Sequence, residues 1–146
     1  MLALSRQDAP PVRSDTGENR CRNGAYVLHE PDGKQDVTLI ATGTEVALIR
    51  EAATRLAQDG INAAVVSMPS WDIFAEASPA FQQNVLSEAL RIAVEAAVGF
   101  GWNRWLRPED AFIGTSGFGA SAKSDALHEH FGLTVEAIVD RAQTGR

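Results

Sequence analysis

Residues Asp36–Gly60 read DVTLIATGTEVALIREAATRLAQDG. Val37, Leu39, Ile40 and Ala41 form a short apolar run with β-branched members, the pattern of a strand buried on both faces. Thr42 stands three residues before Glu45, a capping-box spacing. Val46, Ile49, Ala53 and Leu56 then recur at helical spacing, leaving Arg50, Glu51, Thr54 and Arg55 for solvent. Gly60 is placed to end the helix in a left-handed conformation. Ile61–Val66 is a second apolar run, so the stretch predicts a right-handed βαβ unit with parallel strands. It dictates an architecture and no reaction.

Outward from this unit, the totals set bounds. The chain has 146 residues, enough for one domain burying roughly 70% of its unfolded surface. Hydrophobic residues make up 45% and charged ones 22%, which marks a globular chain. The net charge of −6 argues against nucleic acid, whose phosphates need a basic face. Eleven of the thirteen basic residues are Arg, and they are scattered. Cys21 is alone, which excludes an internal disulfide and suits a reducing compartment. Met1–Leu4 is too short for a signal-peptide core, and no apolar run approaches the ~20 residues of a membrane span. The expectation is a soluble cytoplasmic protein with no membrane partner.

Before the unit, Asp8–Gly24 carries Pro10, Pro11, Gly17 and Gly24 among polar residues, a loop or linker composition. Ala25–His29 reads as a strand and Glu30-Pro31-Asp32-Gly33 as a turn. That turn is too short for a parallel crossover, so the first strand is expected antiparallel to the Val37 strand. After the unit, Ser70 and Ser78 are expected to cap short helices, with Pro79 in the first helical position. Arg91–Ala97 and Ala111–Gly114 are further parallel strands. Gly99–Trp102 is read as turning into a helix that Pro108 stops, with Trp102 and Trp105 on one face. Trp71, Trp102 and Trp105 are expected to be largely buried, in the core or against other domains. Helices near 124–131, closed by Gly132, and from Thr134 onward complete a five-stranded sheet, with strands near 25–29, 37–42, 61–67, 91–96 and 111–114.

The chemistry-bearing residues are few. Glu95 falls near a strand's carboxyl end, where ligands of open α/β sheets bind. A carboxylate there more often caps a helix or pairs with an Arg. Thr115–Ser121 is a small-residue loop whose N–H groups can cradle an anion, but it lacks GxGxxG spacing. His128 and His130 are two apart on a helix and cannot share a metal. Spacing assembles no Ser-His-Asp or Cys-His constellation.

Several segments, in order, resemble the carboxyl-terminal domain of transketolase: Leu4-Ser5-Arg6-Gln7, Gly24–Leu28, Ile40–Val46, Val65–Trp71, Val94-Glu95-Ala96, Phe118–Ser121 and Phe131–Thr134. The resemblance implies a three-layer α/β/α sandwich whose five-stranded mixed sheet has one antiparallel strand. It implies that 1–24 is the end of a preceding domain plus linker, and that 25–146 is the transketolase C-terminal-like domain. Transketolases move a two-carbon ketol unit between sugar phosphates in pentose phosphate metabolism, using thiamine diphosphate and a divalent metal, magnesium or calcium. The implied partners are the upstream transketolase domains, sugar phosphates and a second copy in a homodimer.

The family's Gly-Asp-Gly metal motif does not occur here, nor do the glutamate that activates thiamine and the histidines around the substrate. The expectation is therefore no cofactor, metal or catalytic residue in this chain, and no ketol transfer by the chain alone. Arg6 resembles the family Arg that binds the sugar phosphate, where a guanidinium forks two donors onto phosphate oxygens. Ser116-Gly117 stand where transketolases usually carry Asp-Arg, which removes two charges from that loop. The competing readings are a stand-alone anion- or protein-binding regulatory module, or the matching domain of a related 2-oxo acid dehydrogenase component. Ser5-Arg6-Gln7 and Met68-Pro69-Ser70-Trp71 favour transketolase over the latter.

Overall fold

The strand at Val37–Ala41 (β2) lies at the centre of a five-stranded sheet, and all five of its residues are buried. The structure is a computed structural model and describes residues 9–15, 17–117, 119–122 and 124–145. The other strands are Tyr26–His29 (β1), Ala63–Ser67 (β3), Leu90–Val94 (β4) and Ala111–Ile113 (β5), in the order β1-β3-β2-β4-β5. β2, β3, β4 and β5 pair in parallel, and β1 pairs antiparallel with β3.

The direction of β1 is as the sequence predicts, but its neighbour is β3 and not β2. The apolar β2 needs a strand on each side, whereas β1, half-buried with His29 exposed, suits an edge. Residues 30–36 therefore carry the chain past the start of β3, a span of two strand spacings of about 4.8 Å each. Asn62 holds this crossing. Its backbone N–H donates to Asp36 Oδ2 at 2.9 Å and its side-chain amide to the Lys34 carbonyl at 3.0 Å.

Helices at Glu45–Gln58 (α1) and Val135–Thr144 (α5) cover one face of the sheet. Their Val46, Ile49, Leu56, Ile138 and Ala142 meet Leu39, Val65 and Ile92. Helices at Trp71–Glu76 (α2) and Pro79–Leu86 (α3) cover the other, where Phe74, Val85, Trp102 and Trp105 pack on Ile40, Val66 and Ala93. A helix at Ser124–His130 (α4) lies between β5 and α5 in the chain. The result is the expected three-layer sandwich.

Local caps behave as local chemistry dictates. Ser70, Ser78 and Thr134 side chains accept from the N–H three residues on, and Gly60 and Gly132 take left-handed conformations. Two expectations are corrected. Thr42 does not cap α1: Gly43 turns with φ +59°, and Thr44 precedes the helix with its hydroxyl directed to Glu45. Trp102 begins no α-helix, only a 3-10 turn over Trp102–Arg104, because Gly101 and Pro108 leave too little chain for a stable helix. Trp102 and Trp105 are buried. Trp71 is half-buried and meets Trp102 edge-on at 5.0 Å.

Candidate functional site at the carboxyl edge of the sheet

The chain leaves β2 toward β3 across one face and leaves β3 toward β4 across the other. Between β2 and β4 the winding reverses, and a crevice opens at the carboxyl ends of these two strands, where ligands of open α/β sheets sit. Gly43–Glu45 follow β2 and Glu95–Val98 follow β4 at this edge.

Glu45 is buried at the first position of α1, where the helix dipole favours a negative charge. Its Oε1 accepts from the Thr44 hydroxyl at 2.8 Å and stands 3.8 Å from His128 Nε2 of α4. Glu95 Oε2 accepts from Trp102 Nε1 at 2.6 Å. Its partner is an indole, not the helix end or Arg that its position suggested.

Beside this crevice lies a cleft of about 710 Å³. Ala96, Ala97 and Val98 form one wall, and Thr115, Gly117 and Gly119–Ala122 another, with His128 and Phe131 of the α4 region opposite. Gly117 and Gly119 have open space where a Cβ would stand, so a ligand or partner chain can approach the backbone. The site offers two engaged carboxylates, one imidazole and exposed loop backbone.

The sequence singled out Glu95 and the 115–121 loop, and the structure brings both to this edge. It missed the Glu45–His128 approach, which joins residues more than eighty apart; the one signal was Glu45's place at a helix start. Arg6 and Phe118 lie outside the described residues.

Among the described residues, a charge cluster at the opposite edge is engaged in holding the fold. Asp110 Oδ1 accepts from the Arg91 N–H at 2.8 Å and from Arg107 Nη2 at 2.9 Å, and Oδ2 accepts from the Arg107 N–H at 2.8 Å. Burial pushes the Asp110 pKa up, but the hydrogen bonds from Arg107 and Arg91 outweigh it and hold the carboxyl below its usual value. Among the described residues no group of three His, Cys, Asp or Glu could hold a metal ion, and no helix is long and apolar enough to cross a membrane.

Comparison with known proteins places these features in a family context. Residues 24–134 match the family described as "Transketolase-like TK C-terminal domain". The chain is similar to the transketolase of Sinorhizobium medicae, 50% identical over 144 residues that cover 97% of this chain and 21% of that protein. The solved transketolase from Leishmania mexicana superposes with a TM-score of 0.76 at 35% identity, over 84% of this chain and 18% of that one. The transketolase of Campylobacter jejuni gives a TM-score of 0.77 at 31% identity, over 97% and 20%. The chain thus spans about a fifth of the length of these three relatives.

Proposed function

The chain belongs to the family of transketolase-like C-terminal domains, and we infer from that membership that it forms the C-terminal part of a cytoplasmic, homodimeric transketolase. The whole enzyme transfers a two-carbon ketol unit between sugar phosphates. The observation that carries this reading is 50% identity to a full-length transketolase across nearly the entire chain. It favours this reading over a stand-alone module or a domain of a 2-oxo acid dehydrogenase component.

Thiamine diphosphate, with magnesium or calcium, supplies the carbanion chemistry of such an enzyme. The described residues do not fit that group. They present no metal-ligand cluster, and the buried carboxylates Glu45 and Asp110 are already engaged. We assign cofactor and metal to the upstream domains. This chain's direct contribution is Arg6, whose guanidinium binds the sugar phosphate when the preceding domain supports it. The rest of the chain is a scaffold that those domains pack against.

The test is replacement of the corresponding C-terminal fifth of the Sinorhizobium medicae enzyme by this chain. The expected chimera is folded by circular dichroism and retains ketol transfer within about tenfold of the parent, a barrier change of about 1.4 kcal/mol. A folded chimera with no activity overturns the reading.

A further inference from the structure

We propose that Glu45 and His128 form a proton-operated latch, which fastens α4 over the start of α1 while the imidazole carries its proton and is slack when it does not. The latch is a property of this chain and goes beyond the reading of the whole enzyme above.

The pair joins two elements that lie far apart in the sequence. Glu45 Oε1 and His128 Nε2 are 3.8 Å apart, with the carboxylate side chain 8% exposed and the imidazole 27%. That separation is too long for a hydrogen bond, so a neutral ring contributes little beyond packing. It is within reach of an ion pair, and burial of the carboxylate reduces the screening that weakens exposed pairs. Imidazole is the side chain whose charge ordinarily changes between about pH 5 and 8. The attraction is therefore present on the acid side of that range and is lost as pH rises through it.

Both helix ends suit the charged pair. Glu45 occupies the first position of α1, where a negative charge is favoured, and His128 lies in the last turn of α4, where a positive one is. The imidazole is presented from a fixed base. The buried Leu133 donates its N–H to the His128 carbonyl at 2.8 Å, and Gly132 makes the turn between them with φ +69°. α4 has seven residues, too few to hold a helix without outside contacts. Leu127 and Phe131 anchor it at the cleft through apolar packing, and Glu45 is its polar anchor.

The neighbouring charges leave this pair to act. Glu129 and His130 of α4 are exposed, and the His130 ring meets Phe131 edge-on at 4.9 Å. Asp125 stands three residues before His128 in the sequence. Glu95 at the end of β4 is taken by Trp102 Nε1, Arg50 of α1 donates to the Val12 carbonyl, and Glu136 of α5 is exposed. Among the described residues of the cleft lining, His128 is the one that titrates. Its proton thus decides how firmly α4, one wall of the cleft, is held.

Hydrogen exchange at the α4 amides tests this, each variant being compared with the parent chain at equal pH so that the intrinsic rate cancels. The parent should exchange roughly fivefold more slowly than His128→Asn at about pH 5.5, and at the same rate at about pH 8. Glu45→Gln should match His128→Asn, and the double variant should lose no more than either. His130→Asn and Asp125→Asn should keep the acid-side protection. Equal exchange of parent and His128→Asn at both pH values overturns the latch, as does a difference that persists at the higher pH. Acid-side protection that survives Glu45→Gln, or that is lost with Asp125→Asn, overturns Glu45 as the partner and with it the proposal. Should Glu45→Gln loosen α1 itself, seen at the α1 amides, the other variants decide: loss of protection in His128→Asn but not in Asp125→Asn supports the latch, and loss in both overturns it.

Discussion

Trp102 Nε1 and Glu95 Oε2 stand 2.6 Å apart, joining a buried indole to the end of β4. The bond closes the loop that carries Val98 and Phe100. Glu95→Ala leaves the indole N–H unpaired and is expected to cost about 1–3 kcal/mol, whereas Glu95→Gln keeps an acceptor and costs about 1 or less. Denaturant unfolding followed by tryptophan emission measures both. Equal losses would show that the hydrogen bond does not set the stability of this loop.

Asp110 sets an acid limit on the fold. Its folded pKa is held below the unfolded value, so its contribution is fully present above the unfolded pKa and is lost as pH falls through the folded one. Stability should therefore decline below about pH 5. Asp110→Asn is expected to be about 2 kcal/mol less stable near neutrality, through loss of charged hydrogen bonds, and to show a flatter acid limb. Thermal unfolding of both proteins from neutral to acid pH reads the two effects. Parallel acid limbs would assign the acid sensitivity to other carboxylates.

Ser87 adopts φ 52° and ψ 178°, a region that side chains other than glycine rarely occupy. It is held there from several sides. Its Oγ accepts from the Ala89 N–H and Gln35 Nε2, and its carbonyl accepts from Arg91 Nη2. Ser87→Ala loses the side-chain bonds and keeps the strain; Ser87→Gly loses the bonds and releases it. The glycine variant should be the more stable of the two by about 1 kcal/mol, roughly 3 °C in Tm. The reverse order would mean that this backbone costs little.

Arg6 carries the proposed phosphate contact. In the chimera, Arg6→Ala should raise KM for the sugar phosphate by roughly 10- to 100-fold, with Arg6→Lys intermediate, since an ammonium cannot fork onto two oxygens. Steady-state kinetics check this. An unchanged KM would remove Arg6 from the site.

The isolated chain is expected to take up no thiamine diphosphate in calorimetric titration with magnesium present. The described residues offer no metal-ligand cluster to hold the diphosphate through an ion. Saturable binding at micromolar concentrations would place a cofactor site in this chain.

The legible parts of the fold were those fixed by near neighbours. Ser70, Ser78 and Thr134 cap helices three residues ahead, and Gly60 and Gly132 end them, so each is readable within one turn. The βαβ unit is likewise set by its own periodicity. Illegible were choices made across distance. The partner of β1 depends on which strand has a free edge, and no residue in 25–29 encodes that. Glu45 and His128 meet because α4 returns over the start of α1. Thr42 fails as a cap because Gly43 uses a left-handed turn before the helix begins. In the candidate site, Glu95 was visible by its place at a strand end, while its indole partner was hidden in a turn that the sequence suggested was helix.

The pairing of Tyr26 with Ser67 fixes an order of events in folding. β1 emerges from the ribosome well before the strand that will receive it, and it has no template until β2, α1 and β3 have assembled. Its loop closes roughly forty residues and is entropically costlier to form than the βαβ nucleus beside it. The first strand of this sheet in chain order is thus expected to be among the last to dock. Until then β3 presents a bare edge, the interval in which a nascent chain of this fold is most open to strand exchange with another copy.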